Sequence, residues 1–206
     1  DQARQAGVSR VVYAASSSSY GTQPHSPKRE ADLPAPLSPY AASKLAAEYY
    51  CQAFSHTYGI ETVAIRYFNV FGPIQDINSE YAAVIPRFIS RALAGEDLII
   101  FGDGEQSRDF IFVEDVVAAN LKAAQSNIQR KSLNVACGKQ YTLNQIVKVL
   151  SDIIGRELNV QYQPARPAEV RHSVADISLA HELIGFEPVI SLDEGLRRTI
   201  KWFKER

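Results

Sequence analysis

Apolar runs of strand length alternate with helix-patterned stretches along the whole of this 206-residue chain, and that alternation confines it to α/β architectures. Gly7 to Ala15 predicts a buried strand, entered from a helix that ends at Gly7. Ser38 is a good N-cap, Pro39 suits the first helical position, and Leu45, Ala46, Tyr49, Ala53 and Phe54 keep an apolar stripe until Gly59 stops the helix. Glu61 to Phe68 predicts a second strand of the same parallel sheet. Two strands do not make a stable doubly wound sheet, and no Gly-x-Gly-x-x-Gly occurs to open one. The expectation is a piece of a longer protein, with βα units totalling about a hundred residues upstream. The absence of Met and an opening, Asp1 to Gly7, that resembles the last turns of a helix point the same way.

Downstream, Asn69 to Tyr81 predicts a loop around Gly72-Pro73, and Ala82 to Ala94 a helix with Pro86 marking a kink or a late start. Leu98 to Phe101 and Arg108 to Val113 are expected as short strands around the turn-rich Gly102-Asp103-Gly104. Glu114 to Ser126, Leu143 to Ile154 capped by Thr142, Ile177 to Leu183 and Leu192 to Lys204 carry helical patterns; Leu133 to Ala136 and Leu158 to Gln163 are strand-like, and Pro164 to Ser173 predicts a loop or edge segment.

With 46% hydrophobic residues there is ample material for a core, and a net charge of -1 without basic clusters argues against a nucleic-acid partner. No apolar run reaches transmembrane length and no signal-peptide layout opens the chain, so the expectation is a cytoplasmic protein without a membrane partner. Cys51 and Cys137 are too isolated for a disulfide framework or a zinc site, and His25, His56, His172 and His181 show no ligand spacing. No metal is expected.

The chemistry concentrates in Ser16-Ser17-Ser18-Ser19-Tyr20-Gly21 and Ser38-Pro39-Tyr40-Ala41-Ala42-Ser43-Lys44. The serines follow directly on the carboxyl end of the first strand, where ligands of open α/β sheets bind. Tyr40 and Lys44, four residues apart, share one helical face in the first turns. An ammonium beside a phenol favours the phenolate, as does the positive end of a helix, and a base working near neutrality needs that form. Ten Tyr in 206 residues make about 0.4 Tyr-x-x-x-Lys matches expected by chance. The pair alone is weak; the strand, serine run and cap around it supply the specificity, against a reading of ordinary helix-surface side chains beside a polar turn.

With these residues in place the chain resembles the extended short-chain dehydrogenases/reductases, specifically nucleotide-sugar 4-epimerases, and among them UDP-N-acetylglucosamine 4-epimerases. Further stretches carry the resemblance: Arg66-Tyr67-Phe68-Asn69-Val70-Phe71-Gly72-Pro73, Ala82-Ala83-Val84-Ile85-Pro86, Gly102 to Phe110, and Val170 to Ser178. It implies the C-terminal part of a doubly wound Rossmann-type parallel sheet plus a smaller α/β substrate-binding domain. The implied division is 1–75 for the NAD-binding portion and 76–206 mainly for the UDP-sugar domain, with returns to the first around 110–140. It also implies NAD as cofactor, a transient 4-keto sugar, and a homodimer formed through the long helix.

By the same resemblance Tyr40 is the base for the sugar 4-hydroxyl, Lys44 holds the nicotinamide ribose and tunes the tyrosine, and Ser16 is the hydroxyl relay. Tyr67 sits by the cofactor, and Ser17 and Ser18 face the sugar. Asn69 binds near the diphosphate, which Arg108 and Arg166 clamp; a guanidinium fork suits phosphate oxygens. Phe101 packs on the uracil in a pocket lined by Ile99 and the backbone of Ala83 and Val84, although plain strand core remains an equal reading for Phe101 and Ile99. Ser173 is a gate whose small side chain admits acetamido sugars. Ala168 departs from the glycine common in the resembled family, and without the phosphate-binding turn the fragment alone is expected to be inactive.

A 4,6-dehydratase would need an acid and a base where Ser17-Ser18 stand. UDP-glucose and UDP-uronic acid 4-epimerases stay open as alternatives, as does a non-catalytic sugar-nucleotide-binding remnant.

Overall fold

The computed structural model describes residues 1–76, 84–165 and 170–205. A short helix α1 (Gln2–Gln5) leads into β1 (Arg10–Ser16), a 3-10 turn (Ser17–Tyr20) and the long α2 (Pro39–Tyr58). Then come β2 (Glu61–Tyr67), β3 (Asn69–Phe71), α3 (Val84–Ala94), β4 (Leu98–Phe101), β5 (Ser107–Arg108), β6 (Phe110–Phe112), α4 (Val113–Gln125) and β7 (Lys131–Val135). The chain continues with β8 (Tyr141–Thr142), α5 (Leu143–Ile154), β9 (Val160–Gln163), α6 (Ser178–Ile184) and α7 (Leu192–Lys204).

The three-stranded sheet β1-β2-β7 is parallel throughout, and its register sets Ser16 beside Tyr67 and Tyr67 beside Val135. Three carboxyl ends therefore form one edge, with the serine run leaving from it. Parallel strands need a long crossover, and α2 provides it between β1 and β2. The expected cap is formed: Ser38 Oγ accepts from the Ala41 N–H at 3.1 Å, and Gly59 adopts the left-handed conformation that ends the helix. Thr142 and Gln145 cap α5 reciprocally, a full capping box.

Several expectations shift. Asn69 to Phe71, expected within a loop, forms β3 and pairs in parallel with β6. The strands around Gly102-Asp103-Gly104 do not pair with each other: β4 runs parallel to β9, and β5 is antiparallel to β8. Turn residues mark a reversal of the chain, but partner choice is set by long-range packing, which spacing does not encode. The expected strand 108–113 is broken at Asp109, whose carboxylate is occupied elsewhere. Pro86 falls in the first turn of α3, where a missing N–H costs no intrahelical bond; the expected start at Ala82 lies outside the described residues.

Two apolar clusters support these layers. One joins α3, β4, β6, α5 and α7 around Phe71, Phe88, Ile100, Phe112 and Leu196; the other packs β2 and β7 against α4 and α6 around Ile65, Val116, Leu133 and Phe186. Gly195 allows a close approach of α7, since a Cβ there would stand 2.8 Å from the Phe71 ring and 2.9 Å from Phe112.

Candidate active site

At the carboxyl edge of β1 and β2 the structure opens a cleft of about 720 Å³. Ser16, Ser17, Ser18, Tyr40, Lys44, Tyr67, Asn69, Arg108 and Ser173 all line it. Nine of the residues singled out from sequence thus meet in one cavity, although they span more than 150 positions of the chain.

Local geometry explains the serine cluster. Ser16, the last residue of β1, caps the 3-10 turn: its Oγ accepts from the Ser18 N–H at 3.2 Å and from the Ser18 hydroxyl at 2.9 Å. Ser19 Oγ donates to the Ser16 carbonyl at 2.9 Å. The Ser16 and Ser18 hydroxyls are therefore linked directly, a geometry that can pass a proton between them. Gly21 closes the turn with φ +56°, and a Cβ there would sit 2.0 Å from the Ala35 carbonyl oxygen, so the turn tolerates no side chain.

From the first turns of α2, Lys44 Nζ donates to the Ala14 carbonyl at 2.9 Å and lies 5.9 Å from the centroid of the Tyr40 ring and 5.6 Å from that of Tyr13. The helix is thus docked onto β1 through the lysine, with the phenol on the cleft side. The Tyr67 hydroxyl is turned away from the serines and donates to Asn120 Oδ1 of α4 at 2.8 Å; burial raises its pKa.

The far wall is assembled around Asp109. Its carboxylate accepts from the N–H groups of Cys137 (2.8 Å), Gly138 (3.0 Å) and Ala175 (3.2 Å), fastening the segments that carry Arg108 and Ser173 to the end of β7. Burial pushes the Asp109 carboxyl up to about 6, against the pull of those donors. Ser173 is held by its N–H to the Ser107 carbonyl at 3.1 Å, and His172 Nδ1 meets Ser107 Oγ at 2.8 Å. Arg108 Nη1 donates to the Ser107 carbonyl at 2.9 Å.

A buried network lies beneath the serine turn. Arg66 donates to Glu48 twice, Nε to Oε2 at 3.1 Å and Nη2 to Oε1 at 2.7 Å, and also to the Tyr20 hydroxyl at 2.9 Å, which donates to Asn134 Oδ1 at 2.7 Å. Ser132 Oγ completes it on Glu48 Oε1 at 2.6 Å.

The remaining expected contacts stand apart. Ile99 and Phe101 alternate with the buried Leu98 and Ile100 on β4, so they are neither strand core nor part of the cleft. Val84 packs against the cluster around α3 and does not line the cleft. Ala83, Arg166 and the departure at Ala168 lie outside the described residues.

Sequence reasoning missed Lys28 and Gln75, which also line the cavity. Gln75 Oε1 is buried without a hydrogen-bond partner among the described residues. Neither residue belongs to a periodic pattern or cap that could have marked it. Cys51 and Cys137 are free thiols, with burial raising Cys137 to about 12, and the described residues contain no group of three or more His, Cys, Asp or Glu able to hold a metal ion. No helix among them is long and apolar enough to cross a membrane.

The model for the NAD dependent epimerase/dehydratase family matches residues 1–136. A UDP-N-acetylglucosamine 4-epimerase from Methanobrevibacter ruminantium M1, solved with UDP-N-acetylmuramic acid, is 45% identical with a TM-score of 0.95, covering 98% of this chain and 65% of that one. A putative UDP-glucose 4-epimerase of Methanocaldococcus jannaschii is 38% identical over 202 residues, 98% of this chain and 65% of its own length. A UDP-glucuronate 4-epimerase of Thermodesulfobacterium geofontis is 36% identical over 200 residues, 97% of this chain and 60% of its own. The chain thus spans under two thirds of these relatives.

Proposed function

The chain belongs to the NAD dependent epimerase/dehydratase family, and from that premise we propose that the protein interconverts C4 epimers of a UDP-hexose, UDP-N-acetylglucosamine and UDP-N-acetylgalactosamine foremost. The observation that carries this reading is the convergence of the serine chain, Tyr40 and Lys44 with Asn69, Arg108 and Ser173 on one cleft. In it, Tyr40 takes the proton of the sugar 4-hydroxyl, with the Ser16–Ser18 hydroxyls positioned to orient that hydroxyl and relay the proton. Arg108 and Asn69 hold the diphosphate end, so the hexose lies between Ser173 and the serines.

NAD fits the nicotinamide end of this arrangement, where Lys44 and Tyr40 stand at the carboxyl edge of β1. When bound there, it would supply the hydride acceptor and donor that inversion at C4 requires. We assign residues 1–75 with the β1-β2-β7 sheet to the cofactor-binding portion and most of 76–206 to the sugar-nucleotide portion. We also assign a homodimer through α2, whose Tyr49, Tyr50 and Tyr58 are exposed.

A second reading, a UDP-uronic acid or UDP-glucose substrate, is favoured by relatives bearing those names. The test is turnover by the full-length protein of UDP-N-acetylglucosamine, UDP-glucose and UDP-uronic acids, with bound NADH followed by absorbance. Tyr40→Phe should lower turnover by about 10²- to 10⁴-fold while UDP binding persists. Full turnover by that variant removes Tyr40 from the mechanism. No reduced cofactor with any sugar favours a non-catalytic sugar-nucleotide-binding protein.

A further inference from the structure

Between the serine run and Ser173 the cleft wall includes Lys28, which is only 4% exposed. Its backbone is stitched to the segment beyond Ser173: the N–H donates to the Val174 carbonyl at 2.8 Å, and its carbonyl accepts from the Asp176 N–H at 2.9 Å and from Asn134 Nδ2 at 3.0 Å. The backbone of Lys28 is thereby fixed beside Ser173. Its ammonium donates to the Gln23 carbonyl, and no carboxylate among the described residues lies within ion-pair distance of it. An ammonium carries three donors, and a buried charge is ordinarily paired. Burial pulls this lysine below its ordinary range, with Asp32 opposing from a distance, while Asp32 itself accepts from the Arg29 N–H at 2.8 Å.

Hydroxyls and amides meet the needs of a neutral hexose. A nearly buried cation that has no carboxylate partner among the described residues, at the sugar end of a cleft, fits a ligand that brings one. We propose that Lys28 is a specificity residue through which the site recognises a UDP-hexose bearing a carboxylate, either at C6 as in a uronic acid or on an ether substituent at O3 as in a muramic acid. This deepens the epimerase reading and rests on it. The acid and the ammonium form a charge-assisted hydrogen bond, whereas a neutral sugar leaves the lysine as it stands.

The test uses full-length protein with NAD and two matched pairs: UDP-glucuronic acid against UDP-glucose, and UDP-N-acetylmuramic acid against UDP-N-acetylglucosamine. In the wild type the acid of one pair should bind at least about tenfold tighter than its neutral counterpart, the order expected for a charge-assisted bond. Preference in the first pair places the carboxylate at C6, and in the second at O3. Lys28→Met should abolish the preference and Lys28→Arg should keep it, a ratio that general loosening of the fold does not move selectively. Where Lys28→Met does not fold, Lys28→Gln carries the same comparison at similar length and polarity. Equal binding within both pairs in the wild type, or a preference that survives loss of the ammonium, overturns the inference. If neither acids nor neutral sugars bind, the epimerase reading itself fails, a result distinct from binding without discrimination.

Discussion

Removing Glu48 alone should be among the most damaging single changes in this protein. The Glu48 and Arg66 side chains are 1% and 5% exposed, and the guanidinium meets the carboxylate in a two-pronged pairing at 2.7 and 3.1 Å. Burial by itself disfavours the guanidinium's charge, but the Glu48 hydrogen bonds and the Tyr20 hydroxyl outweigh it and hold Arg66 above its ordinary range. Glu48→Ala strands that charge and removes the acceptor for Ser132 Oγ. Breaking a buried pair from one side costs about 3–5 kcal/mol, a large part of the 5–15 kcal/mol that stabilises a typical domain. Replacing both residues, Glu48→Leu with Arg66→Met, removes the stranded charge, so the double variant should lie within about 2 kcal/mol of wild type, with Tyr20 and Ser132 losing one partner each. Urea unfolding of the full-length protein, followed by circular dichroism for wild type, Glu48→Leu, Arg66→Met and the double variant, gives the coupling directly; it should reach about 3 kcal/mol. A cost below about 1 kcal/mol for Glu48→Ala, or additive single effects, would refute the claim that this pair is held dry and depends on mutual compensation.

The Asp109 carboxyl, raised to about 6 in the fold from about 3.9 in an unfolded chain, binds its proton more tightly when native. Its contribution is therefore full below pH about 4 and is lost as pH rises through about 6, a swing of about 3 kcal/mol. The difference in urea stability between wild type and Asp109→Asn should shift by that amount across this window, and a flat difference shows that Asp109 does not titrate there. Ser173→Tyr should reduce turnover of an acetamido sugar more than that of its plain counterpart; equal losses in kcat/KM would remove the gate role. Gly21→Ala must adopt φ +56° and meet the Ala35 carbonyl, so it should destabilise by about 2 kcal/mol or more. A change below about 0.5 kcal/mol in thermal or urea unfolding would show that the turn relaxes around the added methyl.

What sequence alone determined lies within a few residues of its own cause. Ser38-Pro39 set the start of α2 and Gly59 its end, Thr142 and Gln145 closed their capping box, and apolar runs fixed β1 and β2, because caps and periodicity act over one or two turns of chain. The serine run and the Tyr40–Lys44 pair were visible for the same reason, each being a local pattern at the mouth of an element. Tertiary structure decided how they met. The parallel register that puts Ser16 beside Tyr67, the pairing of β4 with β9 instead of its neighbour in sequence, and the turning of Ile99 and Phe101 away from the core all depend on contacts between distant segments. Asp109 reaching Cys137 and Ala175, Glu48 reaching Arg66 and Ser132, and Lys28 entering the cleft leave no mark on local spacing, since a buried polar group is satisfied by whatever the fold brings to it. Hydrogen bonding in a desolvated interior is a property of the assembled sheet edge, and only the folded chain assembles that edge.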